Sequence, residues 1–156
     1  MVVAVLAMLA IGTRPLRGQV TPPPRKGGGR MLTFEELRAL AEAVGFVGDA
    51  ADIAAAIALA ESSGDVRATN IVTAEQAADW NAAHPGQPRH GPERSFGLWQ
   101  INTLAHPQYD EGRLLDGQYN AHAAFQVSSG GTNFKPWSTY NTGLYRKHMP
   151  TEPDPA

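Results

Sequence analysis

The first periodic segment of the chain begins near residue 31. Its apolar residues recur at the three- or four-residue spacing of one helix face: Leu37, Leu40 and Val44. Thr33 followed by Glu36 forms a capping box at the start, and Gly45 is typical of a helix end. The pattern predicts a helix over FEELRALAEAV.

A second helix is predicted from Asp49 through AADIAAAIALAES to Gly64. This segment carries apolar residues on every side, whereas a surface helix would carry them on one stripe. We therefore expect it to be the central, buried helix of the domain.

The remaining elements are shorter and separated by loops. Residues 73–83 favour a short helix, PGQPRHGP must be a loop, and residues 116–128 favour another helix. SFGLWQIN, residues 95–102, is a compact apolar run in which Gly97 indicates a tight backbone. WSTYNTGLYRKHM predicts a last short helix or turn. The fold class is therefore mainly α, with long irregular loops.

The amino-acid composition excludes several classes of function. The chain of 156 residues contains 42% hydrophobic residues, which is enough for a packed core. Its 16 glycine and 12 proline residues agree with the long loops. The formal net charge of −2 lacks the basic surplus of a duplex-binding protein, so no nucleic-acid partner is expected. The chain contains no cysteine, which excludes disulfides, thiolate metal sites and cysteine nucleophiles.

The two ends of the chain differ from its middle. Residues 1–12, MVVAVLAMLAIG, have the length of a signal-peptide core but no preceding Lys or Arg. We interpret them as a retained arm that docks on a neighbouring chain, or as an uncleaved signal or anchor. Residues 13–30 are rich in Pro and Gly and predict a linker. The predicted organisation is an arm and linker over 1–30, a domain over 31–149 and a disordered tail over 150–156.

Glu61 breaks the apolar pattern of the second helix, close to its C-terminal end. Ala54, Ile57 and Ala58 share its face. Apolar neighbours desolvate a carboxylate, and a helix C-terminus disfavours an anion, so both effects should raise the pKa of Glu61. A carboxyl group that stays protonated near neutral pH suits a general acid. A solvated Glu at a frayed helix end is the simpler alternative.

Other signatures of chemistry are weak. The five His residues are scattered without a metal-ligand spacing, so neither a metal site nor any other cofactor is expected. GxSxG and the glycine-rich phosphate loops are absent. Asn120 is interpreted as a structural residue that fixes a helix beside the site.

Several short motifs together resemble the lysozyme-like superfamily, specifically its soluble lytic transglycosylase and goose-type lysozyme group. They are ESSG at 61–64, SFGLWQIN at 95–102 and YNTG at 140–143, within a resemblance over about 47–148. HPQYD, YNAHAAF and PWSTY are similar to the subgroup found in actinobacterial secreted proteins and phage tail proteins. The resemblance implies a lysozyme-like α+β domain that acts on peptidoglycan, in a virion tail or a secreted or cell-envelope setting. Residues 1–30 would then contact other virion or envelope chains.

The resemblance also implies roles for individual residues. Glu61 matches the catalytic general acid/base, and Tyr140 matches the Tyr that points at it. The remaining candidates lie along the cleft and would contact substrate: Gln100, Asn102, Ser62, Ser95 and Trp99. Amide side chains can both donate to and accept from acetamido groups. Trp99 and Phe96 could stack on sugar rings, although a core position suits at least one of them.

The reaction route depends on the number of carboxyl groups at the site. A two-carboxylate glycosidase needs a second Asp or Glu, for which Asp65, Glu93 and Asp110 are candidates that no motif marks. A lytic transglycosylase needs one Glu, and this route is favoured because only Glu61 stands out. The long segment 71–94 departs from the family pattern and is interpreted as a lid, a subsite wall or a partner contact. A structural or glycan-binding protein with little turnover is the alternative function.

Overall fold

The computed structural model describes residues 30–151, so the predictions for residues 1–29 and 152–156 lie outside it. Five α-helices are present in the described residues: α1 (Phe34–Val44), α2 (Asp49–Ser62), α3 (Ala74–Ala83), α4 (Gly117–Val127) and α5 (Ser138–Asn141). Three strands accompany them: β1 (Thr69–Val72), β2 (Glu93–Phe96) and β3 (Ile101–Asn102). Two 3-10 helices span Arg113–Leu115 and Leu144–His148. Among residues 30–151, helix makes up 48% and strand 10%, which confirms a mainly α domain with a small sheet.

The two predicted N-terminal helices form, and the second is central. Thr33 and Glu36 make the reciprocal bonds of the capping box, and Gly45 ends α1 in the left-handed conformation. Helix α2 packs against α1, α5 and the 3-10 helix at 144–148. Its fully buried residues are mostly alanine: Ala51, Ala54, Ala55, Ala56, Ile57, Ala58 and Ala60. Among residues 30–151, no helix is long and apolar enough to cross a bilayer.

A small antiparallel sheet, in the order β1-β2-β3, lies between the helices. Asn70 pairs with Ser95 and Val72 with Glu93 in the β1–β2 register. Helix α3 is inserted between these two strands. Strand β1 is absent from the sequence prediction because its four residues are too few for a period to be recognised and its partner lies beyond α3. SFGLWQIN divides into the end of β2, a turn and β3.

Asn120 fixes that turn to α4. Its side chain is fully buried; Nδ2 donates to the carbonyls of Phe96 and Leu114, and Oδ1 accepts from the Trp99 N–H at 2.8 Å. Gly97 has φ +75°, and a Cβ there would lie 2.2 Å from the Leu114 carbonyl oxygen. The turn therefore requires both a glycine at 97 and an amide at 120, in agreement with the structural interpretation of Asn120.

Replacing Asn120 with Ala should destabilise the domain by about 2–4 kcal/mol, because three buried backbone groups lose their partner. Chemical denaturation measures the change in unfolding free energy. Gln118→Ala, at an exposed position of the same helix, is the matched control and should stay within about 0.5 kcal/mol of the parent protein. Equal stability of the two variants would contradict the assigned role of Asn120.

Candidate active site

Glu61 lies in the last turn of α2 and is half-buried. Its Oε1 accepts a hydrogen bond from the Thr139 hydroxyl at 2.7 Å, and Thr139 is itself only 1% exposed. Thr139 lies on α5, which packs against α2. The carboxyl group of Glu61 therefore lies at the boundary of the core, where Thr139 orients it.

This environment keeps Glu61 protonated far above the usual range of a carboxylic acid. Burial raises the pKa of Glu61 to about 7, against the opposing effect of the Thr139 hydrogen bond. The negative charge of Glu93 raises this pKa further. Desolvation is the dominant cause, as the apolar neighbours in the sequence suggested. The solvated Glu at a frayed helix end is thereby excluded.

Glu93 is a second buried carboxyl group close enough to Glu61 to act on its titration. It is 6% exposed, at the start of β2. Oε1 accepts from the Ser95 hydroxyl at 2.6 Å and Oε2 accepts from Asn70 Nδ2 at 3.0 Å. Burial raises the pKa of Glu93, whereas the Ser95 hydrogen bond lowers it. The sheet thus presents a bonded carboxyl group towards the end of α2.

The two candidate amide side chains make internal contacts. Gln100 Nε2 donates to the carbonyls of Gly97 at 2.8 Å and Ala68 at 3.2 Å, and Gln100 has a left-handed backbone at φ 45°. Asn102 Oδ1 accepts from the Leu104 N–H at 2.9 Å. Both side chains are half-buried. The amide nitrogen of Gln100 therefore stabilises the turn, and substrate contact by either residue stays a prediction.

Tyr140 and Ser62 lie on the two elements that meet at Glu61. The Tyr140 ring stacks on Tyr145, with ring centroids 5.0 Å apart, and packs against Phe134. The Ser62 hydroxyl donates to the Ala58 carbonyl and accepts from the Gly64 N–H. Ser62 thus secures the end of α2, and the predicted roles of these two residues towards substrate stay predictions.

Trp99 and Ser95, two of the residues predicted to contact substrate, have buried side chains that make internal contacts. Trp99 is 1% exposed, and its Nε1 donates to the Ala54 carbonyl at 2.9 Å. This ring joins the β2–β3 turn to α2 and leaves no face for a sugar. Phe96 is also buried. Ser95 is 1% exposed, and its hydroxyl binds Glu93 rather than facing the cleft.

Sequence reasoning missed Thr139 and Asn70 as site residues. Thr139 is adjacent to the candidate Tyr140, but only the packing of α5 on α2 brings its hydroxyl to Glu61. Asn70 reaches Glu93 because β1 pairs with β2 across the inserted helix. No local sequence signal marks either residue, because both contacts depend on the packing of segments that are distant in the chain.

The site is built from carboxyl, hydroxyl and amide groups. Within the described range 30–151, no three His, Cys, Asp or Glu residues converge in a way that could hold a metal ion. The arrangement can donate a proton from one buried carboxyl group and hold a second carboxyl group nearby by two hydrogen bonds.

Comparison with known proteins identifies the family of the domain. A family model described as a lysozyme-like domain matches residues 38–139, a span that includes Glu61, Glu93 and Thr139. No curated protein and no solved structure matches the chain significantly. Since the family model covers well over half of the chain, and the fold and the buried glutamate agree with it, the chain belongs to the lysozyme-like domain family.

Proposed function

We propose that this protein cleaves the β-1,4 bond between N-acetylmuramic acid and N-acetylglucosamine in peptidoglycan, with Glu61 as the general acid. The observation that carries the proposal is the buried carboxyl group of Glu61 with a pKa raised to about 7. Members of the lysozyme-like domain family are typically peptidoglycan-cleaving enzymes. A protein that only binds glycan has no need of a desolvated acid at this position.

The first half of the reaction uses the proton of Glu61. The carboxyl group donates it to the glycosidic oxygen while the C1–O bond breaks, and the sugar ring acquires oxocarbenium-ion character. Thr139 orients the carboxyl group from the core side. Because the Thr139 hydroxyl also stabilises the carboxylate that remains, Glu61 can persist in the ionised form until it recovers a proton in the second half of the reaction.

Glu93 favours hydrolysis as the second half of the reaction. The two oxygens of Glu93 accept hydrogen bonds from Ser95 and Asn70, and its negative charge raises the pKa of Glu61. An ionised Glu93 can stabilise the positive charge of the sugar or accept the proton of an attacking water. The sequence favoured single-carboxyl transglycosylation, in which the 6-hydroxyl of muramic acid attacks, because no second carboxyl group stood out. The effect of the Glu93 charge on the pKa of Glu61 instead supports the hydrolytic route as our proposal.

The setting of the activity is proposed on the sequence alone. An apolar arm over residues 1–12 and a Pro- and Gly-rich linker over 13–30 suit a hydrolase tethered to a phage tail or to the cell envelope of an actinobacterium. The arm would contact neighbouring virion or envelope chains while the linker lets the domain reach the glycan.

Glu61→Gln should reduce turnover of purified peptidoglycan by about three orders of magnitude or more, because it keeps the shape of the side chain and removes the proton. Release of soluble muropeptides measures the rate. Glu35→Gln, at an exposed position of α1, is the matched control and should cleave at the parental rate. Undiminished lysis by Glu61→Gln would contradict the enzymatic role and favour a glycan-binding or structural protein.

The pH dependence of stability should report the same group. Because the pKa of Glu61 is about 7 in the folded protein, against 4.5 for an unperturbed glutamate, folding favours the protonated form. The stabilisation is complete below pH 4.5 and is lost as pH rises towards 7, to a total of about 3 kcal/mol. Relative to Glu61→Gln, the parent protein should therefore lose unfolding free energy between pH 4.5 and 7. A constant difference across this range would contradict the assignment. The kcat/KM for peptidoglycan should also fall above about pH 7.

Glu93→Gln should shift the alkaline limb of the kcat/KM profile to lower pH, because the charge that raises the pKa of Glu61 is removed. It should also reduce hydrolysis by about two orders of magnitude or more, a typical contribution of a general base. Mass spectrometry of the products separates the routes, since hydrolysis yields reducing ends and transglycosylation yields 1,6-anhydro ends. Predominantly anhydro ends with an unaffected Glu93→Gln variant would contradict the hydrolytic route.

A further inference from the structure

We propose that the cavity beside α3 binds the peptide stem of peptidoglycan. The alanine side chains of the cavity contact the small apolar groups of the peptide, and Arg89 binds one of its carboxylates. The cavity has a volume of about 400 Å³ and is lined by residues of the segment between β1 and β2. Its volume is within the range of pockets that bind small ligands. This inference rests on the proposed function for the identity of the ligand.

The floor of the cavity is one face of α3 made of methyl groups. Four alanines on this face line it: Ala74, Ala77, Ala78 and Ala82. They follow the three-, four- and eight-residue spacing of a single helix face. Ala77 is buried and the other three are exposed, so an apolar surface is left open to solvent. A floor of this kind matches ligand groups as small as alanine side chains and leaves room for a peptide backbone above it.

The wall of the cavity is held in place by two sets of contacts. Asn81 clamps the loop, since its Nδ2 donates to the His90 carbonyl and its Oδ1 accepts from the His90 N–H, both at 2.8 Å. Trp80 stacks on His84, with centroids 4.3 Å apart, and meets the edge of His90 at 4.0 Å. The loop is thereby fixed against α3 before any ligand arrives, which reduces the entropy lost on binding.

The charge of the cavity selects an anion. Arg89 lines it beside the clamped His90, is exposed, and has no ion-pair partner among residues 30–151. None of the described residues that line the cavity is Asp or Glu. A guanidinium group at the edge of an apolar floor suits a carboxylate, which it can bind through two parallel hydrogen bonds.

The position of the cavity connects it to the cleavage site. Pro92 lines the cavity, and the next residue, Glu93, is the carboxyl group that acts on Glu61. The Cα atoms of these two consecutive residues are about 3.8 Å apart, so a residue of the cavity wall directly precedes that carboxyl group at the start of β2. The stem peptide starts on the lactyl group of N-acetylmuramic acid with alanine and carries free carboxylates. A glycan strand bound at Glu61 would bring that peptide to the α3 face.

Binding is tested directly with a synthetic stem tetrapeptide that carries no sugar. In ¹⁵N-labelled protein, the peptide should shift the amide signals of Ala74, Ala78, Ala82 and His90 in a saturable manner. Arg89→Ala should weaken this binding at least tenfold, and Ala78→Glu, which places a negative charge on the exposed floor, should do the same. Lys147→Ala removes an exposed cation outside the cavity and should bind as the parent protein does. Absence of saturable shifts, or equal losses in Arg89→Ala and Lys147→Ala, would overturn the inference.

The kinetics of peptidoglycan cleavage provide a second test of the peptide site. On intact peptidoglycan, Arg89→Ala should raise KM several-fold with little change in kcat, since it removes binding that is the same in ground and transition states. On glycan strands stripped of peptide by an amidase, parent and variant should be equal. An equal effect on both substrates would overturn the peptide site. Cleavage without peptide binding refutes this inference alone, whereas peptide binding without cleavage refutes the proposed function and leaves the site in place.

Discussion

The burial of one carboxyl group at the end of an alanine-rich helix is the constraint on which this domain depends. Glu61 continues the apolar face of α2 and meets the buried hydroxyl of Thr139. Burial costs stability whenever the group is ionised, and it also keeps the proton available near neutral pH. A site of this kind combines a functional advantage with a local loss of stability that the surrounding core must offset.

The core offsets this loss with packing and with fully satisfied polar groups. Asn120 and Gly97 fix the turn that places Trp99 against α2, and the indole N–H bonds to a helix carbonyl. In residues 30–151, no buried side-chain nitrogen or oxygen lacks a hydrogen-bond partner. The rigid turn also positions β2, so the same contacts that stabilise the core hold Glu93 in place. Stability and the geometry of the two carboxyl groups therefore share one set of interactions.

The helix inserted between β1 and β2 adds a distinct surface that leads into the strand carrying Glu93. Its capping box and the Asn81 clamp make α3 and its return loop self-supporting. The chain can therefore present an open alanine face and the exposed guanidinium group of Arg89 without loss of order. Under the two proposals made above, the carboxyl groups would cleave the bond, and the α3 segment would recognise the part of the substrate that surrounds it.

Local sequence signals determined the first two helices and the position of Glu61 at the end of α2. The capping box at Thr33, the uniform apolar character of α2 and the position of Glu61 within it are short-range features, so periodicity and helix-end chemistry predicted them. Strand β1, the donor Thr139 and the pairing of Asn70 with Glu93 depended on contacts between distant segments, which no local pattern encodes. The position of Trp99 could not be predicted for the same reason, because an aromatic residue in such a motif can stack on a sugar ring or pack in the core. Only the tertiary structure decided between them, since burial is a property of the packed chain and not of any one segment.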